Sequence, residues 1–415
     1  MKIAIIGGGA AGCFAAIQIK DRQPDAEVHV WEAGRKALAK VAVTGGGRCN
    51  VTNSFREVDS IERVYPRGSR LMKRLLRAFS HEDTYRWFET NGVRLVTQDD
   101  QCVFPQSQDA LEIVDTLLSL MRSKGVRLHT GCRVASLTQG EEGFTLHFAQ
   151  NLRAPEHADR VLVTTGGSPQ GKGLSLFANL QIETVAPVPS LYGLCLPGHP
   201  LTQFTGMVIP HVCIGIAGTK HRAQGPLLIT HWGLSGPAIL KLSAYAARHL
   251  HEAGFRAPLT INWMGTEHEE ETTGMLMQIA TEYPQRQIAN VYPPHLGSRL
   301  WLYLLSRSGL NPSRRWAEVG RKGLHRLAST LTCHTVEANG KNRHKEEFVT
   351  CGGVALTNIN PSTLECRTHP GLYFAGEVLD VDAITGGFNL QAAWTMGYVA
   401  AKHIGMEESS KVAKK

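Results

Sequence analysis

The chain opens with a short apolar run that leads directly into a glycine-rich turn. Residues 1–6 predict a buried strand, the turn follows at once, and residues 13–20 predict a helix. Gly7, Gly9 and Gly12 stand at the spacing G-x-G-x-x-G in this context. Gly7 permits the tight turn, Gly9 lets the backbone approach a pyrophosphate, and Gly12 lets the helix pack closely on the strand. This pattern predicts a dinucleotide-binding fold.

Ala10 and Ala11 belong to the turn just before the predicted helix, and the phosphates are expected at the helix N-terminus, where unpaired N–H groups and the helix dipole favour anions. A second strand is predicted at residues 28–31 and ends in Glu32, twenty residues past Gly12. A carboxylate at that place accepts hydrogen bonds from ribose hydroxyls and repels a 2′-phosphate. The nucleotide is therefore expected to be FAD or NAD rather than NADP.

Composition narrows the class of protein. With 415 residues, of which 42% are hydrophobic and 19% charged, the chain is expected to form two or three globular domains. No window of eighteen apolar residues is present, so no membrane span is expected. Nine cysteines without a C-x-x-C pair argue against a disulfide framework. We expect a reducing, cytoplasmic compartment and, because no paired histidine spacing occurs, no metal site.

The net charge of +8 is concentrated in two regions. The first lies on one face of a predicted helix and comprises Arg67, Arg70, Lys73, Arg74 and Arg77. The second region contains only one acidic residue, Glu318, and comprises Arg307, Arg314, Arg315, Arg321, Lys322 and Arg326. Such patches suit a polyanion such as RNA, and an ordinary solvated surface is the alternative interpretation.

A second glycine-rich segment follows the Glu32 strand closely. Three successive glycines expose backbone N–H groups, an arginine adds charge-assisted contacts to a phosphate, and an asparagine bonds a ring edge or caps a helix. The cofactor-binding candidates here are Gly45, Gly46, Gly47, Arg48 and Asn50. Cys49, between them, is either a buried inert thiol or a group near a redox centre. Thr165 and Gly166, which end a later apolar strand, and Val134 are further candidates.

The strongest signal after the N-terminus lies near the other end of the chain. A strand ends in an Ala-Gly-Glu triplet at 375–377, which places a carboxylate beside flavin polyol hydroxyls. A glycine pair then starts an apolar helix over 392–401, whose N-terminus faces the flavin where negative charge develops on reduction. The candidates for FAD contact are Gly376, Glu377, Asp380, Gly387, Phe388 and Asn389.

Both ends of the chain thus contribute to one FAD site, and the middle is an insertion. We expect a first part of the FAD-binding domain at 1–188, a β-rich barrel-like subdomain at 189–265, a helical subdomain at 266–335, the second part of the FAD-binding domain at 336–405, and a disordered tail at 406–415. Within the insertion, Ser235 is expected to cap a helix that has Pro237 in its first turn. His231, just before it, is a candidate proton donor, with a structural loop histidine as the alternative.

These landmarks resemble bacterial NAD(P)/FAD-dependent oxidoreductases of the aminoacetone-oxidase and bile-acid-reductase type, to which a ribosomal-RNA dihydrouridine synthase is related. The strings that carry the resemblance run over 3–32, 44–50, 230–237 and 345–391. The family implies a Rossmann-like FAD domain of the two-dinucleotide-binding flavoprotein type, interrupted by a β-rich and a helical segment. This chain departs from the family in the loop at 168–173, so no cofactor contact is assigned beyond Gly167, and at Ala383, where glycine is common.

We expect an FAD-dependent oxidoreductase that delivers hydride from reduced flavin to a C=C bond conjugated with a carbonyl, in a small enone or in uracil of ribosomal RNA. His231 is the first candidate for the acid and Cys49 the second. NADH or NADPH is the expected electron donor. Two alternatives remain open: an oxidase of a small amine, and a flavin-bearing RNA-binding protein without turnover.

Overall fold

The structure is a computed structural model, and it describes residues 1–149, 153–169, 171, 173–342 and 349–405. The chain divides into two compact units. The first unit runs from Met1 to Val188 and resumes at Val349, and the second unit begins at Pro189 and occupies the chain between these two parts. The tail at 406–415, expected to be disordered, lies outside the described residues.

The strands of the described chain are β1 (Lys2–Ile6), β2 (Glu27–Trp31), β3 (Thr52–Asn53), β4 (Leu95–Thr97), β5 (Cys102–Pro105), β6 (Arg127–His129), β7 (Val134–Gly140), β8 (Gly143–Phe148), β9 (Glu156–Ala158), β10 (Arg160–Val163), β11 (Thr184–Ser190), β12 (Leu194–Cys195), β13 (Val208–Ile216), β14 (Arg222–Thr230), β15 (Gly233–Ser235), β16 (Arg256–Asn262), β17 (His334–Asn339), β18 (Val349–Val354) and β19 (Leu372–Phe374). The α-helices are α1 (Ala10–Arg22), α2 (Ile61–Val64), α3 (Ser69–Leu75), α4 (His81–Thr90), α5 (Ala110–Ser123), α6 (Pro237–Tyr245), α7 (Ala247–Glu252), α8 (Glu269–Glu282), α9 (Gly297–Arg307), α10 (Trp316–Thr332) and α11 (Phe388–Ile404).

The first unit is built on a five-stranded sheet in the order β19–β10–β1–β2–β6. Every pair in it is parallel, with Ile3 of β1 opposite Val28 of β2 and Arg160 of β10. Ile3 and Ile5 are fully buried, because a parallel sheet is covered on both faces and its strands are therefore continuous apolar runs. With β1 at the centre, the turn after it lies at the edge where open α/β sheets bind ligands.

Two helices cover this sheet and pack on each other. A Cβ added to Gly397 of α11 would lie 2.9 Å from the carbonyl oxygen of Ala11 in α1, so glycine is required for this close approach. Phe14 of α1 and Trp394 of α11 meet with ring centroids 5.5 Å apart. The two helices that were expected to point their N-termini at the cofactor are thus held together as one layer.

The second unit contains a six-stranded antiparallel sheet in the order β12–β15–β14–β13–β16–β17. One apolar core joins this sheet to the helices α9 and α10, and it includes Ile261, Trp301 and Trp316. The expected division of the insertion at 265 therefore does not separate two cores. The expected boundary at 336 is also wrong, because Val336 lies in β17 and pairs with Leu259 of β16 inside the second unit.

The first basic region is smaller than the sequence predicted. Arg67 is not part of an exposed stripe, because its guanidinium forms a two-point ion pair with the fully buried carboxylate of Asp382, with Nε 2.5 Å from Oδ1. Burying a charge is tolerated only with such a partner, so Arg67 turns inward while Arg70 and Arg77 stay exposed. Within the described part of the chain, no helix has the length and apolar character needed to cross a membrane.

Candidate functional site

The first glycine-rich turn is shaped by close backbone approaches. Gly7 has φ +115°, and a Cβ there would overlap the carbonyl of Thr164 at the end of β10. A Cβ on Gly12 would overlap the carbonyl oxygen of Gly7 and lie 2.5 Å from Oγ1 of Thr164. That hydroxyl donates to the carbonyl oxygen of Gly7 at 2.8 Å. Thr164 is thus a positioning residue that sequence reasoning missed, because its partner lies 157 residues away.

Gly9 differs from these two glycines. Its backbone is extended, with φ −88° and ψ −167°, and a Cβ there would have no protein atom within 4 Å. No side chain of the described residues caps α1, and its first turn contains no acidic residue. The N–H groups of Ala10 and Ala11 therefore stand at an uncapped, positive helix end beside open space, which fits a pyrophosphate.

Glu32 follows β2 and is held by two backbone groups. One carboxylate oxygen accepts from the N–H of Gly8 at 2.7 Å, and the other accepts from the N–H of Gly34 at 2.6 Å. These two bonds fix the carboxylate beside the first turn, where a ribose would be bound. The acid expected from sequence spacing therefore lies next to the glycine motif.

A cavity of about 370 Å³ adjoins this carboxylate, and it is lined by Ile6, Gly7, Trp31, Glu32, Ala33, Arg133, Val134, Ala135, Ala149, Thr165, Gly173, Ser175 and Leu176. It brings together four predicted cofactor residues: Gly7, Glu32, Val134 and Thr165. Gly173 and Ser175 lie beyond Gly167, where no contact had been assigned from the family, so this loop does contribute to the cavity wall. The volume of the cavity, the indole ring of Trp31 in its wall and the Glu32 carboxylate, which could bind a ribose, fit an adenosine.

The second glycine-rich loop forms left-handed backbone at three successive positions, with φ +58°, +72° and +87° at Gly45, Gly46 and Gly47. Added Cβ atoms at Gly46 and Gly47 would meet no protein atom within 4 Å, so this loop faces open space. Arg48 turns back onto the protein: its Nε donates to the carbonyl oxygen of Gly45 at 3.2 Å, and its guanidinium lies 4.3 Å from the ring centre of Phe104. The arginine therefore braces the loop.

Cys49 and Asn50 continue this segment in different roles. Cys49 is fully buried, and burial raises the pKa of its thiol to about 12, so the thiol stays protonated. With its amide oriented to suit its neighbours, Asn50 donates to the carbonyl oxygen of Thr52 at 2.8 Å and accepts from the N–H of Gly387 at 3.1 Å. Asn50 thus links the second glycine-rich loop to the start of α11.

The Ala-Gly-Glu triplet after β19 is anchored by its glutamate. One Glu377 oxygen accepts from the N–H of Thr350 at 2.7 Å, and the other pairs with Nζ of Lys40 at 2.9 Å. Gly376 has φ +83° and approaches Ala11, where an added Cβ would lie 3.1 Å from the alanine methyl. Asp380 is placed through its backbone, whose N–H donates to the carbonyl oxygen of Val354 at 3.0 Å.

The N-terminus of α11 is also uncapped by any described side chain and has no acid in its first turn. Gly387 precedes it with φ +88°, a conformation that favours glycine. The side chains of the next two residues are engaged within the protein: the Phe388 ring packs 5.2 Å from the ring of Phe55, and the Asn389 amide bonds both backbone groups of Ala383 at 2.9 and 3.0 Å. The backbone N–H groups remain to meet a ligand.

In the second unit, His231 is exposed at the turn between β14 and β15. Thr230 stabilises this turn, because its hydroxyl donates to the carbonyl of Gly233 at 2.9 Å and accepts from the N–H of the same residue at 3.1 Å. The expected capping by Ser235 is wrong: Gly236 occupies the N-cap of α6, with no side-chain cap, and Pro237 is the first helical residue.

The first unit therefore offers the parts that FAD requires: an adenosine-sized cavity, a carboxylate beside it, two uncapped helix N-termini, and open space at Gly9, Gly46 and Gly47. The residues present fit this cofactor, and the site is assembled from both ends of the chain.

Comparison with known proteins agrees with this site. A family model described as the HI0933-like protein Rossmann domain matches residues 1–403. The chain is 30% identical over 419 residues to a 3-dehydro-bile acid delta(4,6)-reductase of Clostridium scindens, covering 97% of this chain and 98% of that protein. It is also 30% identical over 416 residues to a ribosomal RNA dihydrouridine synthase of Escherichia coli, covering 98% of each chain.

Solved structures show the same fold at low sequence identity. A 3-ketosteroid delta4-(5alpha)-dehydrogenase from Rhodococcus jostii matches with a TM-score of 0.52 and 15% identity, over 98% of this chain and 96% of that one. A 3-ketosteroid delta1-dehydrogenase from Sterolibacterium denitrificans matches with a TM-score of 0.52 and 12% identity, over 97% and 99%. The predicted fold class, an α/β Rossmann-like FAD domain interrupted by an inserted region, is confirmed. The chain belongs to the HI0933-like Rossmann family and is an FAD-dependent oxidoreductase.

Proposed function

We propose that this protein reduces a C=C bond conjugated with a carbonyl group, with NADH or NADPH as the electron donor and in the cytoplasm. The observation that carries the proposal is similarity along nearly the whole chain to two relatives whose names describe such a reduction. One is a reductase of a 3-dehydro-bile acid, and the other forms dihydrouridine, in which the 5,6 double bond of uridine is saturated. The two substrates share an alkene polarised by a carbonyl.

The cofactor is held by backbone groups more than by side chains. Gly9, Ala10 and Ala11 would bind the pyrophosphate, Glu32 the ribose of the adenosine, and Glu377 the polyol. When bound, FAD supplies hydride transfer. The uncapped N-terminus of α11 stabilises negative charge in the cofactor site, because its unpaired N–H groups carry partial positive charge.

The reaction adds one hydride and one proton to the alkene. Hydride goes to the β carbon, the carbonyl oxygen takes up the electron pair, and a proton returns to the α carbon, while NADH or NADPH is oxidised to balance the two electrons. His231 is the proton donor in this proposal, since it is exposed on a turn that Thr230 stabilises. Cys49 is a poor donor, because its thiol is buried and its pKa is about 12.

The test is anaerobic turnover by the FAD-loaded protein. A 3-oxo-Δ4 steroid and a uridine-containing RNA are incubated separately with NADH or NADPH, and products are examined by mass spectrometry for the gain of two hydrogen atoms. Gain in either substrate supports the proposal. No gain in either, together with rapid peroxide formation from a small amine in air, would replace it with the oxidase. Flavin that no donor reduces would indicate a structural cofactor.

The role of His231 is tested separately. His231→Ala is expected to lower turnover while FAD content stays unchanged. His268→Ala is the matched control, because His268 is also exposed in the second unit. Equal activity of the two variants would remove His231 from the mechanism.

A further inference from the structure

Positive and negative residues are unevenly distributed along the second unit. Between residues 189 and 342 the sequence has 14 Lys and Arg residues, eight Glu and no Asp. Eight of these cations and only one acid, Glu318, fall between residues 284 and 326. Of the acidic residues before that stretch, Glu252 ends α7 and the others lie in α8 or just before it. The excess positive charge of the whole chain is therefore concentrated on α9, α10 and the segment that joins them.

One face of α10 packs on the apolar core of the second unit, and the opposite face carries the positive charge. Its inner face includes Trp316, Leu327 and Leu331, which are buried in the apolar core of the second unit. Its outer residues are exposed, and with the neighbouring arginines they define what we call the α10 basic face: Arg307, Arg314, Arg315, Arg321, Lys322 and Arg326. The guanidinium of Arg326 reaches the turn that follows α9, since its Nη1 would lie 3.8 Å from a Cβ on Gly309.

These cations are not placed where they would stabilise α10 itself. Gly320 interrupts α10 with φ +66° and ψ +164°, so Arg321 and Lys322 begin a new helical segment. Cations at a helix N-terminus oppose the dipole, whereas cations in the last turn stabilise it, and the last turn of α10 has none. Within the described residues, no guanidinium or ammonium group of the α10 basic face lies within 4.0 Å of a carboxylate of an acidic side chain.

The other basic region is different. In α3, Lys73 lies 3.8 Å from the carboxylate of Glu62, and Arg74 donates to the hydroxyl of Ser362 at 2.8 Å. Arg67, just before α3, is turned inward to Asp382. Three of the five cations of the α3 region therefore have partners within the protein, and only Arg70 and Arg77 remain for an external anion, which makes this region the weaker site.

One exposed aromatic residue accompanies the α10 basic face. Tyr283 is 44% exposed, and the next residue, Pro284, accepts a hydrogen bond at its carbonyl from the N–H of Ala317 at 3.0 Å, which places it by the start of α10. No large apolar residue among those described is exposed on α10 itself, whereas protein interfaces have an apolar centre. A surface that has cations, one aromatic side chain for stacking and no apolar centre matches single-stranded nucleic acid better than it matches a protein partner.

We infer that the α10 basic face binds the phosphate backbone of single-stranded RNA, which makes a uracil in RNA the substrate class of the proposed reductase. This inference rests on the proposed function for the chemistry and on the α10 basic face for the partner. The face supplies sequence-independent attraction, and Tyr283 stacks on a base. The reductase site, rather than the α10 basic face, selects which uracil is reduced.

The experiment measures fluorescence anisotropy of a labelled 24-nucleotide single-stranded RNA with the full-length, FAD-loaded protein over a range of salt concentrations. Arg321, Lys322 and Arg326 are changed together to Glu. Loss of three phosphate contacts is expected to reduce the slope of log affinity against log salt by about two, and to lower affinity at low salt by about tenfold or more. The matched control changes Arg70, Lys73 and Arg77 to Glu, which alters the net charge equally and is expected to change affinity much less.

Three outcomes would overturn the inference: equal losses in the two triple variants, no change in the α10 variant, or stronger binding of polyglutamate than of RNA, which would indicate an acidic protein partner. FAD absorbance of each variant shows that the first unit remains folded. Reduction of the small 3-oxo-Δ4 steroid separates the two proposals. A wild-type protein that reduces the steroid without binding RNA refutes the inference alone, and one that binds RNA but reduces no alkene refutes the proposed function alone.

Discussion

The variant Gly9→Ala is expected to weaken FAD binding without destabilising the apoprotein, because the added methyl group has no protein atom within 4 Å. The backbone at Gly9 is one that alanine adopts freely, and no protein atom lies within 4 Å of the added Cβ. At such a position alanine stabilises a protein by about 0.4–1 kcal/mol through the unfolded state. The same methyl group would stand in the open space where we place the pyrophosphate, and overpacking there costs about 1–3 kcal/mol. At about 1.4 kcal/mol per factor of ten, FAD affinity falls by about 5- to 140-fold.

Two measurements on one variant check this reasoning. Urea unfolding of the apoprotein should give equal or slightly higher stability for Gly9→Ala, and titration of the apoprotein with FAD should give the weaker affinity. Gly12→Ala is the contrasting variant, since its Cβ overlaps the carbonyl oxygen of Gly7, so the apoprotein itself should be destabilised. Unchanged FAD affinity in Gly9→Ala, or loss of apoprotein stability, would refute the placement of the pyrophosphate.

Three further predictions follow from buried groups. Burial, with Arg307 nearby, lowers the pKa of His334 to about 4. The unfolded state therefore binds more protons below pH 6.5, and the free energy of unfolding should fall by about 2 kcal/mol more between pH 7.5 and 5 than in His334→Gln, measured by urea unfolding. Cys49→Ala should retain turnover in the steady-state assay, and loss of activity would restore Cys49 as an acid. Arg67→Gln leaves the Asp382 carboxylate buried without its cation and should cost about 3–5 kcal/mol in thermal unfolding, whereas an unchanged melting temperature would contradict the pair.

Local rules explain which parts of the site were predictable. Gly7 is favoured by its positive φ and Gly12 by its close approach to the carbonyl oxygen of Gly7, both within one strand–turn–helix. The spacing to Glu32 spans a single β–α–β unit, so these features are visible in a short stretch of sequence. Gly387 is likewise recognisable because a glycine pair precedes an apolar helix. The continuous apolar run of β1 follows from burial on both faces of a parallel sheet.

Roles that depend on distant partners were not predictable. Arg48 was assigned to a phosphate, but the ring of Phe104 is available to it only after β5 folds alongside the loop. Arg67 fitted the helical spacing of an exposed stripe, and only the fold brings the Asp382 carboxylate, 315 residues away, within its reach. Val336 was placed in the wrong unit because pairing of β16 with β17 is a long-range register that local sequence does not encode.

The sequence by itself thus determined the class of the protein, the cofactor and the two helix ends that we propose to meet it, since these depend on glycines whose conformational freedom acts locally. Only the tertiary structure decided which charges are available to a partner. Arg67 and Arg321 look alike in the sequence, yet the first neutralises a buried carboxylate and the second remains on an exposed face without a carboxylate partner among the described residues. The reason is physical: the cost of burying a charge is set by the groups that surround it after folding, and those groups come from every part of the chain.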